Sequence, residues 1–233
     1  MLAWTFEGGS PLFFRGGVRS LQTAPAIGER LGLANAPTPS PDEAQLLALV
    51  RRIQDGDVTA FDRLYHLTRV DAARTLRHLV GNRTDVEDLL QETYLRLLSA
   101  VKGFRGESRF RTFLYRVCSN VALSHLRWKR LRPEDPMESA PEALVASEDP
   151  EREASRRQAA RLVELALERL KPKKRIVFVY YELCGMSPDE IAQAVGSSVN
   201  TVRSRLHHAR LEFTEAMQRL LDKPRPGGTH GTP

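Results

Sequence analysis

The sequence predicts an all-α protein of two small helical domains joined by an acidic flexible linker. Three observations carry that prediction. Apolar residues recur every three or four positions through most of 43–131 and 154–221, and strand alternation of useful length is missing. Glycines and capping residues interrupt this periodicity at helix-length intervals. Between the two periodic stretches, residues 133–153 change character: Glu134, Asp135, Glu138, Glu142, Glu148, Asp149, Glu151 and Glu153 are acidic, Arg152 is the one basic residue, and prolines interrupt the run.

Residues 1–40 are rich in Gly and Pro and lack sustained periodicity, which predicts a disordered N-terminal extension. The first domain spans 41–132. Its first helix places Leu46, Leu49, Val50 and Ile53 on one face and stops at Gly56. A second helix runs from about Val58 to Val80 with an apolar stripe of Phe61, Leu64, Tyr65, Thr68, Leu76, Leu79 and Val80, and Gly81 ends it. Thr84 with Glu87 is a capping box for a third helix, whose core positions are Val86, Leu89, Leu90, Tyr94, Leu97, Leu98 and Val101. A fourth helix starts near Ser108 and buries Phe110, Phe113, Leu114, Val117 and Val121. Four helices of this length make one compact bundle.

The second domain spans 154–222. A helix over 154–170 is followed by another that starts near Pro172 and carries IVFVYYEL (176–183), and Gly185 breaks it. Ser187 with Glu190 forms a capping box, with Pro188 at the first helical position. That helix ends at Gly196, and Ser198 caps the last one. Residues 223–233, rich in Pro and Gly, read as a disordered tail.

Composition narrows the function. The chain has 233 residues, 41% of them hydrophobic, and a net charge of +6. That fits a soluble protein with an anionic partner. No run of 18 apolar residues exists to span a membrane, and the N-terminus is a poor signal peptide, so a cytoplasmic protein is expected. Cys118 and Cys184 lie far apart, outside any Cys-x-x-Cys pair, and are expected as buried free thiols. The six histidines offer no zinc spacing. Paired carboxylates, a nucleophile triad and a phosphate loop are all missing, so neither an enzyme nor a cofactor is expected.

Residues 187–210 read SPDEIAQAVGSSVNTVRSRLHHAR, a short helix, a Gly-containing turn and a capped second helix: a helix-turn-helix. Ile191, Ala192 and Val195 should pack against Val199, Val202 and Leu206. Asn200, Thr201, Arg203, Ser204, Arg205, His207, His208 and Arg210 are left outside, donors and cations suited to base edges and phosphates. Upstream, residues 84–98 read TDVEDLLQETYLRLL, with Asp85, Asp88, Gln91, Glu92 and Arg96 on the polar side. Spacing of three and four stacks Asp88, Glu92 and Arg96 on one face, open to a protein partner or simply to water. Residues 104–132 read FRGESRFRTFLYRVCSNVALSHLRWKRLR: seven cations from Arg109 onward are interleaved with Phe113, Tyr115 and Trp128. Aromatic faces stack on unpaired bases while cations hold the backbone.

This order of motifs resembles the sigma factors of bacterial RNA polymerase, of the extracytoplasmic-function type. DLLQETYL (88–95), FRGES (104–108) and TVRSRL (201–206) carry the resemblance, which covers roughly 42–132 and 154–215. It implies that Asp85, Asp88, Gln91, Glu92 and Arg96 bind the clamp helices of the polymerase's largest catalytic subunit. It implies that Phe104, Arg105, Ser108, Asn120, Arg127, Lys129 and Arg130 serve the melted −10 element. It gives Asn200, Thr201, Arg203, Ser204, Arg205, His208 and Arg210 to the −35 element. An anti-sigma protein is also implied as a partner. Two places depart from the family's wording. His208 stands where Arg or Lys is common, and LKPKKR (170–175) replaces a Leu-Pro-Pro start; its cations could equally touch DNA or be solvated. The alternatives are a stand-alone helix-turn-helix activator and a decoy that titrates a sigma inhibitor.

Overall fold

The computed structural model describes residues 42–81, 85–131 and 150–222. The expectations for 1–40, for the Thr84 half of the capping box, for most of the linker and for 223–233 fall outside those residues. Among the described residues there are eight α-helices, one 3-10 turn and no strand. They are α1 (Glu43–Gln54), α2 (Val58–Val80), α3 (Val86–Ala100), the 3-10 turn Val101–Gly103, α4 (Phe110–Leu131), α5 (Pro150–Glu168), α6 (Pro172–Glu182), α7 (Pro188–Val195) and α8 (Val199–Leu221).

Local chemistry starts and stops these helices. Asp57 caps α2 by accepting from the Thr59 and Ala60 amides. The Thr59 hydroxyl and the Arg52 guanidinium, 2.5 Å away, hold its carboxyl down at about 2. Gly81 ends α2 at φ +81°, a left-handed conformation that costs other residues 1 kcal/mol or more. The Ser187–Glu190 capping box is complete, with both reciprocal bonds formed, and Pro188 opens α7 as expected.

In the first set, α1, α3 and α4 pack on the long α2. Leu46, Leu64, Leu76, Leu97, Phe110 and Leu114 are almost fully buried there. Two core polar groups satisfy each other: Thr68 Oγ1 lies 2.7 Å from the Tyr94 hydroxyl. In the second set, α8 packs on α5, α6 and α7, and Phe178 stacks on Phe213 at 4.6 Å.

The two sets share a continuous core. α6 lies on α2 and α4, α5 on α2, and α7 on α4. Arg175, expected as a solvated or DNA-touching cation, is instead buried at this junction. Its guanidinium donates to the carbonyl of Leu79 on α2 at 2.9 Å, and to those of Glu168 at 2.8 Å and Leu170 at 3.4 Å. Helix ends leave such carbonyls without intrahelical donors, and a planar fork suits them. Tyr180, fully buried, stacks on Tyr115 and donates its hydroxyl to the Tyr115 carbonyl at 2.5 Å.

The structure corrects three expectations of detail. Leu98 is 41% exposed rather than in the core: Leu97 is already aimed inward, and the next residue on a helix is turned away by about 100°. α4 begins at Phe110, two residues late, because a distant group caps it: the Glu43 carboxylate accepts from the Phe110 amide. α5 begins at Pro150, inside the stretch read as linker, where Pro is well placed at a helix start.

Candidate polymerase and nucleic-acid interfaces

The polar face of α3 is open. Asp88 and Gln91 are exposed, and Glu92 receives Arg96 across one turn at 2.6 Å. Leu95, 67% exposed, and Leu98 continue that face. An apolar patch beside exposed acids is the anatomy of a protein interface. Periodicity assigns Leu98 to the core by its spacing, and it names Leu95 on neither the core nor the polar side. Asp85 is held differently from these residues. It is half-buried at the start of α3 and lies 3.3 Å from both Lys129 Nζ and His125 Nε2 of α4. Asp85 and Lys129 therefore tie α3 to α4, and neither projects alone into solvent.

A second surface runs along α4. Phe104 is half-buried, set edge-on to Phe110 and 4.8 Å from the Phe113 ring. Gln54 of α1 fixes the loop that carries it, donating to the carbonyls of Val101 and Phe104 at 2.9 and 2.8 Å. Arg105 is exposed, and the half-buried Ser108 hydroxyl donates to the Arg109 carbonyl. Beyond Phe113 lies the Arg116 guanidinium, 5.4 Å from the ring centre. Asn120 follows one turn on, then Arg127, all exposed and on one helical face. Arg130 and Trp128 are exposed near the end of the helix. Phe110 and Phe113 are buried, as expected. Tyr115 is buried too, against Tyr180, so it offers no face to a base in this arrangement.

The third surface is the helix-turn-helix. Gly196 takes φ +61° at the turn, and the Ser198 hydroxyl caps α8 by accepting from the Thr201 amide. Ile191, Ala192, Val202 and Leu206 are buried between the two helices, with Val195 and Val199 packed at their edge. Asn200, Arg203, Ser204, His207 and His208 are exposed. Arg205 is half-buried and reaches back to the Ser197 hydroxyl at 3.4 Å. Arg210 departs from expectation. It donates to the Glu182 carboxylate at 2.6 Å and lies over the Tyr181 ring at 5.0 Å. A carboxylate whose side chain is 1% exposed requires compensation, and Arg210 supplies it.

Known proteins match this geometry. The model of sigma-70 region 2 matches residues 64–132, and that of sigma-70 region 4 matches residues 160–213. The RNA polymerase sigma-H factor of Pseudomonas aeruginosa is 33% identical over 181 residues, 74% of this chain and 94% of its own. The ECF RNA polymerase sigma-E factor of Haemophilus influenzae is 32% identical over 182 residues, 75% of this chain and 96% of its own. Among solved structures, CnrH in complex with the cytosolic domain of CnrY aligns over 78% of this chain and all of its own, with 26% identity and a TM-score of 0.57. The sigma factor RpoE of Bartonella quintana, bound to the anti-sigma factor NepR, shares the fold at 19% identity and a TM-score of 0.54 over 71% of this chain and all of its own. With two regions matched in order and relatives aligned over nearly their whole length, the chain belongs to the sigma-70 family as an extracytoplasmic-function RNA polymerase sigma factor, a non-enzymatic protein that directs the polymerase core to promoters to initiate transcription.

Proposed function

We propose a division of labour between the two sets of helices. Residues 41–132 act as the region 2-like unit. Asp88, Gln91, Glu92 and Arg96 on α3, joined by Leu95 and Leu98, grip the clamp helices of the largest polymerase subunit; Asp85 contributes by fixing the start of that helix. Phe104, Arg105, Ser108, Asn120, Arg127 and Arg130 serve the melting −10 element, and Lys129 supports them from its contact with Asp85. Residues 133–153 are the linker, with Pro150 and the three residues after it already in the first turn of α5. Residues 154–222 act as the region 4-like unit, with Asn200, Thr201, Arg203, Ser204, Arg205 and His208 at the −35 element. Arg210 positions the recognition helix rather than meeting phosphate. An anti-sigma protein is the regulatory partner. The site of action is the cytoplasm; no helix among the described residues is long and apolar enough to cross a membrane.

One observation carries the −10 assignment. Phe104, Phe113, Arg116 and Asn120 form a continuous path along one side of α4, ending in an exposed amide flanked by cations. An amide can pair with the edge of an extruded base while cations hold the backbone. Asn120 is exposed, so Asn120→Ala removes little packing. The variant is expected to bind core and form closed complexes normally but to open duplex promoters poorly. A pre-melted template should restore much of the activity, because the unstacking cost of about a few kcal/mol is already met. Permanganate footprinting on duplex and bubble templates tests this. Wild-type reactivity on the duplex refutes the role, and equal loss on both templates assigns the defect to folding or docking.

A further inference from the structure

The exposed face of α8 carries less permanent charge than its sequence suggests. Residues 199–211 contain three arginines and no carboxylate. Arg205 is half-buried and bonded to Ser197, and Arg210 is pinned on Glu182. Arg203 is the one exposed guanidinium of the three. Beside it stand two exposed imidazoles, His207 and His208, with ring centres 5.6 Å apart.

Helix geometry gives the two rings different outlooks. Seven residues make nearly two turns, so His207 lies in line with Asn200, between the directions of Arg203 and Ser204. His208 is turned about 100° further round, in line with Ser204 at the edge of the face. When such a helix sits in a major groove, the middle of its exposed face meets base edges and the flanks of that face meet phosphate.

Neither imidazole is paired with a carboxylate among the described residues. On α8, Glu212 is one turn beyond His208 but is bonded to Lys174 of α6 at 2.5 Å. On α6, Glu182 holds Arg210. On α7, Glu190 is engaged in its own capping box and with Arg109, and Asp189 is exposed in the first turn. On α5, Arg169 lies with Glu215 and Arg219 beside the far half of α8.

We infer that the upstream grip of this sigma factor is proton-dependent: His207 and His208 bind promoter DNA as imidazolium groups, so affinity at the −35 element rises as the pH falls through the range in which histidine titrates. A neutral imidazole has one donor and one acceptor; a protonated one has two donors and a charge. Phosphate oxygens and the N7 and O6 of guanine only accept. DNA therefore favours the charged form, the complex keeps its protons to a higher pH than the free chain does, and binding takes protons up. Arg203 alone gives the exposed face one charge; with both imidazoles protonated it has three. The inference rests on the placement of α8 at the −35 element proposed above.

The closed-complex affinity of the holoenzyme for duplex promoter, measured from about pH 8 to about pH 6, tests it. Comparison with the double variant His207→Gln, His208→Gln cancels the pH dependence of the polymerase itself. Both side chains are exposed, so the exchanges remove little packing. The ratio of wild-type to variant affinity is expected to rise on the order of tenfold towards the lower pH, with a wild-type salt slope steeper by up to about two. His207→Arg with His208→Arg fixes both charges; it should raise affinity at the higher pH and flatten the profile. Parallel profiles for wild type and the glutamine variant overturn the inference, as does an arginine variant that keeps the wild-type profile. On the same promoter cut just upstream of the −10 element, the ratio should lose its pH dependence. A holoenzyme whose affinity never needed the upstream DNA refutes the −35 placement and the inference with it. A holoenzyme that needs that DNA yet gives parallel profiles refutes the inference alone.

Discussion

The two sets of helices differ in how their working surfaces are held. In the α7–α8 unit the supports are close in sequence: Ser187 with Glu190, Ser198 with Thr201, Gly196 at the turn, and Arg205 on Ser197. In the α1–α4 unit they come from far away. Gln54 fixes the loop at Phe104, Glu43 caps α4, Arg111 pairs with Asp71 at 3.0 Å, and Asp85 is drawn to α4. A surface that reads duplex DNA with one helix needs only that helix placed. A surface that binds a protein and captures a base needs three elements held in register, and short-range signals cannot supply that.

The sharpest test of the difference is at the polymerase face. Asp88→Arg with Glu92→Arg reverses two charges on an exposed helix face, so attraction becomes repulsion. The double variant is expected to lose core binding altogether while keeping its helicity. A pull-down at wild-type affinity would remove α3 from the interface.

Next in size is Arg210→Ala, where the α7–α8 unit does depend on a longer-range contact. Removing the cation leaves the buried Glu182 carboxylate short of its guanidinium, at about 3 kcal/mol, the lower end for a buried pair because Arg210 is itself partly exposed. Denaturant unfolding should show the loss. A fully stable variant whose DNA affinity falls alike on every sequence, with a salt slope smaller by about one, would return Arg210 to the phosphates.

The third test is acid. Burial, with Arg77 and Arg74 nearby, pushes His78 of α2 down to about 4 from an ordinary 6.5. The unfolded chain therefore takes up a proton on this residue before the folded one does. Stability on its account is undiminished above pH 6.5 and falls as the pH drops towards 4, by up to about 3 kcal/mol. His78→Gln should flatten that slope between pH 6.5 and 4. An unchanged slope would place the acid sensitivity elsewhere.

The smallest effect is expected at Arg203. It is exposed and adds nothing to packing, so Arg203→Ala should leave stability alone. Losing a bidentate base contact costs about 1–3 kcal/mol and relaxes preference at one position. If variant promoters kept their ranking, Arg203 would be only a phosphate contact.

Much of the fold was legible because helices announce themselves locally. The apolar stripe of α1, the glycine stop at Gly81, the box at Ser187 and Glu190 and the cap at Ser198 depend on residues within a turn or two of one another. The helix-turn-helix surface was legible for the same reason. The places where structure and spacing differ share one cause. Residue type and period point Leu98 inward, leave Arg175 open between water and DNA, and leave Tyr115 and Arg210 available outside, whereas the structure exposes Leu98, buries Arg175 and Tyr115 and pairs Arg210 with Glu182.

The sequence by itself therefore determined the helices, their caps, the helix-turn-helix and the family, since each is written in short-range spacing and wording. Tertiary structure alone decided which leucine faces out, where the Arg175 and Arg210 guanidinium groups go, and that the two sets of helices share one core. Those outcomes depend on which carbonyl, carboxylate or ring is brought near from as many as 96 positions away, as with Arg175 and Leu79. Hydrophobic period specifies a direction around one helix, but it carries no information about what another helix will present there.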